Sequence, residues 1–137
     1  MNKPILFLDS DEILGAELSR WTGIPVENAT GVANAVSLLG QRRYHIVMFE
    51  PYFFCDTCPA NRARKTDAPV PSFADVAYKA HEQNTPVMIF SVFDQERILR
   101  DFGLKQGREY DLYVMKPTET NKLLQMIQES SVIPITQ

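Results

Sequence analysis

His45-Ile46-Val47-Met48-Phe49-Glu50-Pro51-Tyr52-Phe53-Phe54 is a short apolar run that stops on a glutamate and turns at a proline. Apolar side chains at consecutive positions of a strand call for cover on both faces, which is the signature of a buried parallel sheet. Three other runs share the property: Ile5 to Leu8, Val87 to Phe90 and Leu112 to Met115. Between them the spacing is helical. Leu14, Leu18 and Trp21 fall on one face of a segment beginning near Ser10, and Val32, Ala35, Val36 and Leu39 on one face of the next. Phe73, Val76, Ala77 and Ala80 repeat the pattern, Ile98, Leu99 and Phe102 do so before Gly103, and Leu123, Leu124, Met126 and Ile127 form the last such face. A weaker strand, Pro25 to Ala29, fits between the first two helices. Strands that alternate with helices predict a parallel sheet wrapped on both sides through right-handed crossovers.

The 137 residues suffice for one core, so a single domain over 1–137 is expected. Hydrophobic content of 45% with 23% charged residues is ordinary for a soluble globular protein. A net charge of −3 argues against nucleic-acid binding through phosphate neutralisation, and Arg62, Arg64 and Lys65 do not change that balance. No apolar run approaches the roughly 18 residues of a membrane helix, and the first residues are strand-like without a basic leader. A cytoplasmic location is expected. From Pro51 to Ser72 the helical and strand periods both vanish, and four of the nine prolines fall there. A structureless connection longer than about 12–15 residues is usually functional or mobile, so 51–72 is read as an irregular insertion.

The glutamate after the central run now acquires company. Each strong run is followed by a polar residue: Asp9, Glu50, Ser91 and Lys116. An acid at a strand end is either solvated there or aimed into a site. Ligands of open parallel sheets bind outside the carboxyl ends of the strands, where these four would converge. Two acids, a hydroxyl and a lysine form a set suited to phosphoryl chemistry or its remnant.

On these residues the sequence resembles the receiver domains of two-component response regulators, from Pro4 to about Ser130. That family carries an acidic cluster after the first strand, a phosphoacceptor aspartate after the third, Ser or Thr after the fourth and Lys-Pro after the fifth. Here the positions read Asp9-Ser10-Asp11-Glu12, Glu50, Ser91 and Lys116-Pro117, and Tyr113 matches the aromatic that reports activation. The resemblance implies a flavodoxin-like sheet of five parallel strands in the order 2-1-3-4-5. It also implies a histidine kinase or a downstream signalling protein as partner, and it leaves a homodimer open.

Two departures set the functional expectation. Glu50 stands at the phosphoacceptor position and Ser10 at the second acid. An added methylene moves the carboxylate by more than about 1 Å, a misplacement that costs on the order of 10²-fold in rate. Magnesium demands near-octahedral ligands at about 2.0–2.1 Å, and Asp9 and Asp11 are left to hold it with Ser10 contributing no charge. Asp11 and Glu12 equally suit the positive end of a helix dipole. The expectation is a stand-alone, non-catalytic pseudo-receiver that works without phosphorylation through protein–protein interaction, with Glu50 reaching toward Lys116 as a fixed charge.

Two other readings stay open. Cys55 and Cys58 lie in the irregular segment at a spacing that suits a disulfide, a redox switch or half of a zinc site. Leu6-Phe7-Leu8-Asp9-Ser10-Asp11 also resembles the first motif of haloacid-dehalogenase-like phosphatases, which would make Asp9 a nucleophile and Asp11 a general acid.

Overall fold

The computed structural model describes residues 3–9, 12–51, 73–116 and 120–129. The chain alternates through β1 (Ile5–Leu8), α1 (Glu12–Thr22), β2 (Val26–Asn28), α2 (Val32–Gln41), β3 (Ile46–Phe49), α3 (Phe73–Glu82), β4 (Val87–Ser91), α4 (Gln95–Phe102), β5 (Leu112–Met115) and α5 (Thr120–Glu129). The strands form a five-stranded sheet in the order β2-β1-β3-β4-β5, and every pairing is parallel. This is the flavodoxin-like arrangement expected from the sequence.

The continuous apolar runs are explained by what covers them. β1, β3 and β4 are buried at every position. Alternation sends Ile5, Phe7, Ile46, Met48, Met88, Phe90 and Val114 into one core with Leu18 of α1 and Leu123 and Ile127 of α5. Leu6, Leu8, Val47, Phe49, Val87 and Ile89 enter the other with Val32, Ala35 and Leu39 of α2, four residues of α3, and Ile98 of α4. Two helices therefore cover one face and three the other. α1 lies close to the sheet because it carries Gly15 there: a Cβ at that position would stand 2.9 Å from Asn28 Oδ1 and 3.3 Å from the Phe7 ring.

Local chemistry sets the helix ends. Asp94 caps α4 by accepting the Arg97 N–H at 2.8 Å. Gly103 closes the helix at φ 69°, donating its N–H to the Leu99 carbonyl, a left-handed conformation that suits glycine. Two side chains expected in the core are turned outward. Trp21 is 37% exposed and Leu99 45% exposed. Consecutive helix positions differ by about 100°, so Ile98 takes the inward direction and its neighbour Leu99 cannot share it. β2 spans Val26–Asn28, shorter than the expected 25–29, and Ser91 is the last residue of β4 rather than the one after it.

Polar groups lock the sheet's amino end. His81 Nε2 meets Asp111 Oδ2 at 2.9 Å, both buried, and the same oxygen accepts the Val87 N–H at 2.8 Å. The Tyr44 hydroxyl donates to Glu27 Oε2 at 3.0 Å, and Arg42 reaches that oxygen at 3.1 Å. Burial, then the Glu27 hydrogen bond, pushes the Tyr44 hydroxyl above its ordinary range. No helix among the described residues is long and apolar enough to cross a membrane.

Candidate functional site

The carboxyl ends of β1, β3, β4 and β5 bring Asp9, Glu50, Ser91 and Lys116 to one end of the sheet. Strand alternation carries two parities to that end. Asp9, Glu50 and Lys116 continue the face of Phe7, Met48 and Val114, whereas Ser91 and Tyr113 continue the face of Ile89. Asp9 is 3% exposed, while Glu50 and Ser91 are fully buried. These acids are aimed inward, which answers the question raised by a glutamate at a buried strand's tip. The ladder carries Glu50 there: its N–H donates to the Leu8 carbonyl at 3.0 Å.

Lys116 is anchored through its backbone, with its N–H donating to the Ser91 carbonyl at 2.7 Å. Its ammonium donates to Asp9 Oδ2 at 2.8 Å and sits 5.1 Å from the Phe90 ring centroid. The expected partner was Glu50. Among the described residues, the ion pair of Lys116 is with Asp9. β1 and β5 are not neighbours in the sheet, so the lysine side chain spans the tips of the intervening strands, as its length permits.

Ser91 Oγ accepts the Phe93 N–H at 3.2 Å, so the hydroxyl also shapes the turn into α4. Tyr113 is half-buried against the core, 6.0 Å from the Tyr110 ring, with its hydroxyl buried near Ser91. Burial first, then the negative charges of Glu50 and Asp94, raise this hydroxyl from 10.0 to about 12, with the Ser91 hydroxyl opposing. A tyrosine that ionises later in the folded chain than in the unfolded one contributes stability in full below about pH 10. That contribution declines as pH rises through about 12, because the unfolded chain then releases the proton first. An absorbance titration of tyrosinate is expected to show a component near pH 12 that Tyr113→Phe removes.

Ser10, Asp11, Cys55 and Cys58, with most of the expected 51–72 insertion, lie outside the described residues. The phosphatase reading needs Asp11 as general acid beside the nucleophile Asp9, and Asp9 alone of the two is among the described residues. Magnesium requires donors free to meet it in octahedral geometry. Asp9, the described member of the pair expected to hold the ion, has one oxygen on the Lys116 ammonium, and Ser10 brings no charge. Asp11, the other member of that pair, lies outside the described residues. The sequence reading missed Asp94, whose charge reaches Tyr113. Its signal was an Asp immediately before a helix whose first turn carries Glu96, a helix cap by spacing.

No protein-family model matches the chain, and no curated protein matches it. Solved structures do. The receiver domain of a sensor histidine kinase from Pseudomonas aeruginosa PAO1, solved with magnesium in its active-site cleft, superposes with a TM-score of 0.67 at 13% identity, covering 96% of this chain and 99% of that one. A two-component response regulator from Clostridium difficile gives 0.63 at 14% identity over 99% and 100%. A CheY-like receiver protein from Methanospirillum hungatei JF-1 gives 0.63 at 17% identity over 96% and 95%. The chain has the response regulator receiver fold.

Proposed function

We propose that this chain is a receiver-like signalling domain spanning 1–137, with an insertion at about 51–72, that acts through a protein partner without being phosphorylated. A histidine kinase or a downstream signalling protein is the class of partner that the fold suggests. The observation that carries the reading is the fully buried Glu50 at the tip of β3, where the resemblance puts a phosphoacceptor aspartate. A surface carboxylate would be neutral to fold and function. One taken out of water, with its charge felt at the Tyr113 hydroxyl, sits in a low-dielectric site where charge acts strongly on its neighbours.

Each residue then has a role. Glu50 supplies permanently the negative charge that phosphorylation would supply transiently in a conventional receiver. Lys116 neutralises Asp9, and Ser91 ties the end of β4 to the turn before α4. Tyr113 senses the charge, since Glu50 and Asp94 act on its hydroxyl. Charge at the tip thus biases β4, α4 and β5, the elements on which such a two-state switch would be read out.

Amide hydrogen exchange tests this without a known partner. Exchange over β4, α4 and β5 in the wild type is expected to be the same with and without a small phosphodonor and magnesium. Glu50→Gln removes the charge at nearly constant shape and is expected to change exchange there by about tenfold or more. A wild type that responds to phosphodonor, or a Glu50→Gln variant that exchanges like wild type, contradicts the proposal.

A further inference from the structure

Gln95, the first residue of α4, and Tyr110, just before β5, are joined side chain to side chain. Gln95 Nε2 donates to the Tyr110 hydroxyl at 3.0 Å and reaches Gln106 Oε1 at 3.4 Å. The bond to Tyr110 is the shorter and the less exposed of the two, and a hydrogen bond sheltered from water is the stronger. Tyr110 is 3% exposed, and its ring lies 6.0 Å from that of Tyr113 with the planes inclined at 59°. It therefore stands between the strand and the helix, meeting Tyr113 with its ring and Gln95 with its hydroxyl. The chain around it is braced. The Gly107 N–H donates to the Tyr110 carbonyl at 2.6 Å, the Gln106 side chain donates to the Asp111 carbonyl at 3.2 Å, and the buried Glu109 carboxylate accepts the Lys105 N–H at 3.2 Å. On the other side of Gln95, Asp94 caps α4 through the Arg97 N–H at 2.8 Å.

We propose that Tyr110 is a positioning residue that links the ring of Tyr113 to the first turn of α4. Interiors are packed to the density of organic crystals, so a ring that shifts moves the ring it leans on. Tyr110 passes such a shift to Gln95 through its hydroxyl, and Gln95 adjoins the Asp94 cap, so the start of α4 follows the strand. The proposed function makes Tyr113 the residue that senses charge and α4 an element of the readout, and the signalling meaning of the link rests on that reading. The link itself rests on the two contacts of Tyr110 and involves no atom of Glu50.

Amide hydrogen exchange in α4 over a cycle of variants, with Glu50 left in place, tests the link. Tyr113→Leu removes the ring that leans on Tyr110, whereas Tyr110→Phe removes only the hydroxyl and keeps its ring against Tyr113. Tyr113→Leu alone is expected to speed exchange of the α4 amides by about fivefold, the size of one ordinary net hydrogen bond. Made together with Tyr110→Phe, the same substitution is expected to change exchange by less than about twofold, the range within which independent sites add. Gln95→Leu breaks the bond from the exposed side of the helix and is expected to reproduce that loss of response. A hydroxyl that served only the stability of the fold would speed exchange on its removal and leave the response to Tyr113→Leu at full size. Equal responses with and without the Tyr110 hydroxyl, no response in either, or a full response beside Gln95→Leu overturns the proposal. The phosphodonor response is measured separately, so a failed cycle leaves the reading of Glu50 standing and a phosphorylated wild type leaves the role of Tyr110 standing.

Discussion

Lys116→Met is expected to destabilise the chain by about 3 kcal/mol, because it strands Asp9 as a buried carboxylate without its cation. The Asp9 side chain is 2% exposed and that of Lys116 16% exposed, so neither charge is fully hydrated in the folded chain. The asymmetry of buried pairs decides the size of the effect. Removing one partner leaves the other's desolvation uncompensated, whereas removing both charges together is far less costly. Asp9→Asn combined with Lys116→Met should therefore be more stable than Lys116→Met alone, by about 1–2 kcal/mol. Urea unfolding of the two single variants and the double variant gives that coupling. Equal midpoints for Lys116→Met and wild type would show that the pair contributes nothing to the fold.

Phe49→Ala is the second large effect, with an expected cost of about 4 kcal/mol. Phe49 is 1% exposed and its ring stacks on Phe73 at 4.7 Å with an interplanar angle of 26°. Phe73 in turn meets Phe102 edge-on at 6.4 Å. Truncation would open a cavity under α3 and α4 and release the strand tip that carries Glu50. Phe49→Leu refills much of that space and should cost only about 1–1.5 kcal/mol. Thermal unfolding of both variants checks the difference, and an alanine variant no less stable than the leucine one would mean that the site collapses around the gap.

The strands were readable because burial on both faces leaves continuous apolar runs, and β1, β3 and β4 are buried along their whole length. β2 was harder: it is a three-residue edge strand, only half-buried, with Glu27 in its middle. The helical faces were readable from their spacing, with errors at Leu99, one position off the inward Ile98, and at Trp21 in the last turn of α1. The convergence of Asp9, Glu50, Ser91 and Lys116 followed from their common place at strand ends. Which acid would take Lys116 did not follow, since both stand at strand tips and no local pattern tells them apart. The His81–Asp111 and Tyr44–Glu27 bonds join residues 30 and 17 positions apart, and no local pattern announces them.

The chemistry at Glu50 carries the account. In the proposed reading, the buried glutamate at that place, with Asp9 engaged by Lys116, stands where a receiver would carry its phosphoacceptor. The intact mass of the wild-type chain after incubation with a small phosphodonor and magnesium is the direct measurement. The account predicts a mass unchanged by the incubation, and a stoichiometric phosphoryl adduct on the wild type would contradict it.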